Sequence, residues 1–165
     1  MDKAREQGAK ILTGGRAATS EDTNGQHGTG TTDLGAGIYY LPTIIDGATR
    51  EMDCVHDEAF GPTVTIETFT TEEEAIAIAN DTEYGLAGAV YTSDAGRAER
   101  VARALRHGTI WINDFHPYLP QAEWGGYKQS GNGRELGPTG LAEYQEHKHV
   151  YQNLSPAAWD QFGLQ

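Results

Sequence analysis

Alternating apolar and polar residues dominate the middle of the chain. Residues 63–69 alternate with a period of two, which predicts a half-buried strand. A threonine cap and three successive glutamates then open a predicted helix over residues 72–79. Short apolar runs at 88–92 and 109–112 predict two more strands, and the amphipathic segment 94–106 between them predicts a helix. Strands that alternate with helices over short joints indicate βαβ units with a parallel sheet, and therefore an α/β fold.

The segment before these elements shows weaker patterns. Residues 1–15 indicate a frayed helix end that runs into a glycine pair. Residues 16–37 are rich in Gly, Thr, Asn and Asp and have almost no large apolar side chain, so we expect a flexible loop insertion at the surface. Residues 38–41 predict a short strand that Pro42 closes.

The segment after the third predicted strand is rich in glycine and proline. Residues 113–140 therefore indicate an ordered loop, and 141–144 a short helix end. Residues 146–154 are compatible with a final strand. The tail, 155–165, carries apolar side chains that need a partner surface, namely Trp159, Phe162 and Leu164.

Composition narrows the class of protein. With 165 residues, 38% of them hydrophobic, the chain can bury the core of one domain. No apolar run approaches the ~18 residues of a membrane span, and the start has no secretory h-region. A single cysteine excludes an internal disulfide framework, so we expect a cytoplasmic protein.

The charge is strongly acidic. Twenty-four acidic residues face 12 basic ones, for a net charge of −12, which argues against nucleic acid and anionic membranes as partners. Only four of the basic residues are lysine. Because salt screens self-repulsion, this composition supports the hypothesis of a salt-adapted, halophilic protein.

Three motifs have a simple structural interpretation. Cys54 lies two residues before His56, but nothing else supports a thiol nucleophile, and we interpret the cysteine as packing. His147 and His149 share one predicted strand face without a third ligand, so we predict no metal site. The glycines of 131–137 miss the spacing of a dinucleotide fingerprint.

Three other stretches carry candidate chemistry. Glu58 and Phe60 precede a strand, where a carboxylate can accept bonds from ribose hydroxyls and a ring can pack on a heterocycle. Phe115 and Tyr118 follow a strand end, and Trp124 lies in the glycine-rich loop beyond. These three rings predict an apolar or cation-binding pocket. By spacing alone, a solvated acid and ordinary aromatic packing remain open alternatives.

Longer runs of sequence resemble a known family. They are Gly8–Gly15, Leu41–Ile44, Glu58–Pro62, Ala79–Leu86, Gly108–Asn113, Gly125–Gly131 and Gly133–Gly137. In order and spacing these runs resemble the C-terminal part of an aldehyde dehydrogenase. The stretch from Asn113 to Gly137 is most similar to betaine aldehyde dehydrogenases and related aminoaldehyde dehydrogenases.

The resemblance implies a role for each matched position. Glu58 would hold the nicotinamide ribose of NAD or NADP, and Phe60 would pack beside the nicotinamide. Trp124 would form one wall of an aromatic box for a trimethylammonium or amino group, and Phe115 and neighbouring loop residues would shape the substrate tunnel. Glu135 would serve a proton relay or a monovalent-cation site.

The resemblance also implies an organisation and a reaction. Residues 1–145 would form part of the catalytic domain, a parallel sheet with flanking helices, and 146–154 an oligomerisation strand that pairs with a neighbouring subunit of a homo-oligomer. The complete enzyme would oxidise betaine aldehyde or a similar aminoaldehyde to a carboxylate.

The chain departs from the family at the reacting groups. The family's cysteine nucleophile, its glutamate base and most of its cofactor site lie upstream of the matched region, and Cys54 falls outside the nucleophile motif. We therefore expect no dehydrogenase activity from this chain alone. The partners would be the missing N-terminal part of the subunit or, as an alternative role, a full-length aldehyde dehydrogenase on which the chain docks without catalysis.

Overall fold

The structure is a computed structural model that describes residues 1–22 and 33–154. The chain divides into two compact units, Met1–Thr82 and Glu83–Gln165, which are described separately. The central part of the predicted 16–37 insertion and the whole predicted tail of 155–165 lie outside the described residues.

Among its described residues, the first unit contains a three-stranded sheet, three α-helices and a 3-10 helix at Leu34–Ala36. Their bounds are α1 (Asp2–Glu6), β1 (Lys10–Thr13), β2 (Thr43–Asp46), α2 (Asp53–His56), β3 (Thr63–Thr65) and α3 (Glu72–Asn80). The strand order is β1-β2-β3, with β1 antiparallel and β3 parallel to β2.

The core of the first unit lies between α1, α2 and the sheet. Buried Ala4, Ala9, Ile45 and Met52 form it, and the half-buried Cys54 side chain packs against them. The interpretation of this cysteine as packing is consistent with that position.

Two predictions for the first unit are wrong. The helix ends at Glu6, and residues 10–13 form strand β1 instead of a helix end, because they pair antiparallel with β2. The predicted strand at 38–41 is reduced to a single bridge between Tyr40 and Ala17, and the regular strand β2 begins only after Pro42.

Only the first part of the strand predicted at 63–69 forms. Strand β3 ends at Thr65, and its buried face differs from what alternation implies: Val64 is 53% and Ile66 41% exposed, whereas Thr63 and Thr65 are half-buried. The helix that follows begins as predicted. The Thr71 hydroxyl accepts the Glu74 N–H at 3.1 Å, which makes Thr71 its cap.

The second unit is built on one βαβ motif. Strand β4 (Ala87–Val90) runs parallel to β5 (Thr109–Ile112), and α4 (Ala95–Ala104) joins them. Asp94 caps α4 by accepting the Arg97 N–H at 3.0 Å. This part of the prediction is confirmed, but β3 and β4 belong to different sheets, so the expected single parallel sheet is not present among the described residues.

Residues 113–136 of the second unit are mostly irregular, in line with the loop predicted for 113–140. A 3-10 turn at Lys128–Ser130 precedes the short helix α5 (Gly137–Ala142), which begins earlier than the predicted helix end at 141–144. Residues 146–154 are exposed and form no strand within the described chain. Their pairing with a neighbouring subunit stays a prediction.

Candidate functional site

The C-terminal end of β5 is fixed to β4 by an asparagine. The Asn113 side chain accepts the Thr92 N–H at 2.8 Å and donates to the Thr92 carbonyl at 2.9 Å, in the manner of one more strand residue. Asn113 itself has a φ of +53°, a left-handed conformation that asparagine tolerates better than most residues. The chain therefore turns sharply after the strand and enters the loop that carries Phe115 and Tyr118.

Five rings meet beyond this turn and form what we call the aromatic cluster: Trp111, Phe115, His116, Tyr118 and Trp124. Trp111, the buried member at 8% exposure, stacks on Trp124 with ring centroids 5.7 Å apart. Tyr118 approaches Trp124 to 4.9 Å, and Phe115 meets Trp111 edge-on at 5.7 Å. These separations are those of favourable aromatic pairs.

Backbone contacts set the position of Trp124. Its N–H donates to the Glu135 carbonyl and its carbonyl accepts the Glu135 N–H, both at 2.7 Å. Next to it, Gly125 lies against Gly108 at the start of β5, so closely that a Cβ on Gly108 would lie 1.7 Å from the Gly125 carbonyl oxygen. These backbone contacts fix the position of Trp124 relative to β5.

Further hydrogen bonds hold the loop that follows Trp124. Arg134 donates to the Gly126 carbonyl at 3.0 Å, and its guanidinium lies over the Tyr127 ring at 5.6 Å. The Tyr127 N–H and the Ser130 hydroxyl both bond to Gly85, in the turn before β4. The glycine-rich loop is therefore an ordered platform for the aromatic cluster.

A cavity of about 210 Å³ opens beside the cluster. Its lining consists of Thr109, Ile110, Trp111, Pro117, Tyr118, Leu119, Ala122, Glu123, Trp124 and Leu136. Pockets for drug-sized ligands measure roughly 300–1,000 Å³, so this cavity suits a smaller group. Among the described residues, no Lys or Arg belongs to its lining.

Two carboxylates give the cavity a negative character: Glu123 belongs to its lining, and Glu135 lies near Tyr118 outside the lining. Glu123 is part of the lining, and a hydrogen bond to its own backbone and one from the Thr139 hydroxyl at 3.2 Å lower the pKa of its carboxyl group. Glu123 is therefore ionised at neutral pH. Loss of hydration and the nearby Glu135 carboxylate raise the pKa of Tyr118, so its hydroxyl stays neutral.

The other predicted residues lie in the first unit. Glu58 and Phe60 occupy the loop between α2 and β3. The Glu58 side chain is exposed and makes no hydrogen bond or ion pair with any described residue, and the Phe60 ring is 96% exposed. An unpaired carboxylate and a bare aromatic face two residues apart can accept ribose hydroxyls and pack on a heterocycle.

The structure brings together part of the predicted site. Phe115, Tyr118 and Trp124 belong to one cluster, with Glu135 bonded to the Trp124 backbone, although Phe115 is on the edge of the cluster and outside the cavity lining. Sequence reasoning did not assign Trp111, His116 and Glu123. Trp111 had a usable signal, since it lies near the carboxyl end of a predicted strand; the other two depend on tertiary contacts.

Two kinds of feature are absent from the part of the chain that the structure describes. It contains no group of three or more His, Cys, Asp or Glu side chains able to hold a metal ion. It also contains no helix long and apolar enough to span a bilayer.

Comparison with known proteins decides the family. The model of the aldehyde dehydrogenase family matches residues 1–150. The chain belongs to the aldehyde dehydrogenase family. It is 55% identical over 157 residues to betaine aldehyde dehydrogenase of Bacillus subtilis, covering 95% of this chain and 30% of that protein. It is 44% identical over 159 residues to aminoaldehyde dehydrogenase 1 of Pisum sativum, covering 96% of this chain and 29% of that protein.

A solved aldehyde dehydrogenase shares the fold. Betaine aldehyde dehydrogenase of Staphylococcus aureus, in a crystal structure with NAD+, matches with a TM-score of 0.86 and 50% identity, covering 99% of this chain and 30% of that chain. The predicted α/β class is confirmed, and the fold corresponds to part of an aldehyde dehydrogenase. The chain spans about 30% of the length of the relatives it matches.

Proposed function

We propose that this chain supplies the substrate box and a nicotinamide-ribose contact of an NAD-dependent aldehyde dehydrogenase. The enzyme would oxidise betaine aldehyde, or a similar aldehyde that carries an amino group, to the carboxylate. The cavity beside the aromatic cluster carries this proposal, because Trp111, Tyr118 and Trp124 face it together with an ionised Glu123.

The physics of the cavity favours a cationic head group. Each aromatic face attracts a quaternary ammonium by roughly 0.5–2 kcal/mol, depending on how far the site is desolvated. Glu123 and Glu135 add long-range attraction, and the part of the lining that is described includes no competing cation. A neutral aldehyde of the same shape would gain only the apolar contact.

Glu58 and Phe60 fit the nicotinamide end of the cofactor. The Glu58 carboxylate would accept the ribose hydroxyls, and the exposed Phe60 ring would pack beside the nicotinamide. The bound cofactor would accept the hydride of the aldehyde. The NAD+ in the Staphylococcus aureus enzyme supports NAD as the cofactor.

This chain alone would not catalyse oxidation of the aldehyde. The family reaction needs a thiolate nucleophile, and the sole cysteine, Cys54, packs half-buried against the core of the first unit. Glu135, exposed and close to Tyr118, would serve a proton relay or a monovalent-cation site in the complete enzyme. With betaine aldehyde and NAD+, we expect no NADH absorbance above background from the purified chain, and turnover would contradict this assignment.

The C-terminal segment supports assembly with other aldehyde dehydrogenase chains. Val150, Tyr151 and Leu154 are 78%, 79% and 84% exposed, so no part of the chain that the structure describes covers these apolar side chains. As strand 146–154 it would pair with a neighbouring subunit or dock on a full-length enzyme. Co-purification of the chain with a full-length aldehyde dehydrogenase, lost on truncation after residue 145, tests this role. A cytoplasmic location fits the single cysteine.

A charge-selective titration tests the proposed box. Choline carries the trimethylammonium group, and 3,3-dimethylbutan-1-ol is its neutral isostere. At pH 8 we expect the chain to bind choline at least about tenfold more tightly than the alcohol, measured by calorimetry, since 1.4 kcal/mol corresponds to a factor of ten. Trp124→Ala should remove this preference.

The control for that titration is Tyr144→Ala, which truncates an aromatic side chain that is 89% exposed and outside the cluster. It should leave choline binding unchanged. Equal binding of choline and the neutral alcohol, or full retention of the preference in Trp124→Ala, would contradict a cation box at this cavity.

A further inference from the structure

A half-buried imidazole lies in the short connection between α4 and β5. We call residues 105–108 the α4–β5 connection, and His107 is its titratable member besides an arginine. The His107 ring packs over β4, since a Cβ on Gly88 would lie 3.8 Å from Cγ of the imidazole and 3.9 Å from its Nδ1. The same Cβ would lie 3.1 Å from Cδ1 of Ile110. The imidazole therefore shares an apolar contact surface with an isoleucine of β5.

The Nδ1 atom of this imidazole is an orphaned polar atom. It is buried and has no hydrogen-bond partner among the described residues, whereas buried polar atoms are nearly always paired. In a neutral His107, Nδ1 can be the nitrogen without a proton, which then lacks only a donor. In the imidazolium both ring nitrogens carry a proton, and Nδ1 becomes a buried, charged donor without an acceptor. The site therefore accommodates the neutral ring far better than the charged one.

The surrounding charges also favour the neutral ring. Burial and, after it, the positive charge of Lys128 in the 3-10 turn lower the pKa of His107 below its ordinary value. Arg106, its neighbour in the connection, is permanently charged, and strands β4 and β5 contain no titratable side chain. The turn before β4 contributes Glu83 and Tyr84, but neither of them hydrogen-bonds to Nδ1. No carboxylate among the described residues thus neutralises an imidazolium at this atom.

The α4–β5 connection also supports the glycine-rich loop. The Gly108 N–H, directly after His107, donates to the Gly85 carbonyl at 3.0 Å. The Tyr127 N–H donates to the same carbonyl at 2.8 Å. On its other side, Gly108 lies against the backbone of Gly125. A displacement of the connection would therefore weaken the contacts that hold the glycine-rich loop to β4 and β5.

We propose that His107 is an acid-sensitive contact of the fold: its neutral imidazole holds the α4–β5 connection against β4, and its imidazolium releases the connection together with the glycine-rich loop. This inference does not depend on what the cavity binds. Acidification would loosen the platform of the aromatic cluster before it unfolds the first unit. The described chain would thereby respond to pH through one side chain outside the cavity lining.

The direction and size of the effect follow from proton linkage. Once the connection is released, His107 has the ordinary histidine pKa of about 6.5, whereas in the closed structure its pKa is lower. Between these two values, opening takes up one proton. The equilibrium constant for opening therefore rises by up to about tenfold for each pH unit below about 6.5. Above that pH the imidazole is neutral in both states, and opening does not depend on it.

Amide hydrogen exchange, measured residue by residue by NMR, tests the inference. Between pH 7.5 and pH 5.5, the protection factors of the Gly108 and Tyr127 amides should fall by up to about tenfold. The reference is the Ile66 amide, which is hydrogen-bonded within the first unit and should keep its protection. His107→Gln replaces the imidazole by a side chain that does not titrate and should remove the pH dependence. His107→Leu gives the same information if the glutamine variant misfolds, and His147→Gln, at an exposed histidine, is the matched control.

Each outcome supports or overturns the inference. A loss of protection at Gly108 and Tyr127 that disappears in the His107 variants and persists in His147→Gln supports it. Protection that does not change with pH in the wild type, or a loss that persists in both His107 variants, would overturn it. An equal loss at Ile66 would overturn it as well, because the acid would then unfold the first unit together with the connection.

Discussion

Replacing Gly108 by alanine should disable the aromatic cavity without changing any of its rings. The new Cβ would lie 1.7 Å from the Gly125 carbonyl oxygen and 2.8 Å from its carbon, both of them backbone atoms. To reach an ordinary non-bonded separation, the backbone at residue 125 must move by roughly 1.5 Å. That shift would be transmitted directly to Trp124, whose ring lies only 4.9 Å from Tyr118.

The expected result has two parts. Overpacking of this kind destabilises a protein by about 1–3 kcal/mol, which urea denaturation measures. Choline binding at pH 8 should fall at least about tenfold, because a cation–π contact of 1.4 kcal/mol or more is lost. Gly133→Ala is the matched control from the same loop, since a Cβ there meets nothing within 4 Å. If Gly108→Ala binds choline as well as Gly133→Ala does, the backbone coupling between β5 and Trp124 is refuted.

Three more perturbations test the helix cap, an acid-sensitive ion pair and the net charge. Thr71→Ala should cost about 1 kcal/mol in urea denaturation, because the cap of α3 loses its bond to the Glu74 N–H, whereas Thr68→Ala at a nearby exposed site should be neutral. The hydrogen bond from Arg16 lowers the pKa of Asp22, so the ionised Asp22 stabilises the fold above pH 4 and loses this effect as the pH falls below 4. In Asp22→Asn, the free energy of unfolding should therefore fall less steeply with decreasing pH below 4. If the charge of −12 is a salt adaptation, the midpoint of thermal unfolding should rise between dilute buffer and molar KCl, and a fall would contradict it.

The elements of the second unit could be predicted better than those of the first, because short-range sequence features specify them. Strands β4 and β5 are short apolar runs, and the helix between them carries its own cap at Asp94, so each element is specified by neighbours in sequence. The parallel pairing follows from the connection. The candidate rings after β5 could also be identified from the sequence, because ligand sites follow the carboxyl ends of parallel strands.

The first unit was harder because its elements depend on distant contacts. Strand β1 is only four residues long and is defined by its pairing with β2, more than thirty residues further along the chain. The alternation at β3 indicated a strand but not which face is buried, and the apolar Val64 side is the exposed one. Likewise, the placement of His116 in the cluster depends on a turn that begins at Asn113, which no periodicity reveals.

Nuclear Overhauser contacts between choline and the chain would show where the ammonium group binds. If the cavity is the substrate box, we expect contacts from the equivalent methyl protons of choline to the ring protons of Trp124 and Trp111 at pH 8, and their loss in Trp124→Ala. Contacts that instead locate the ammonium group elsewhere on the chain, or that persist unchanged in Trp124→Ala, would contradict the assignment of this cavity as the substrate box.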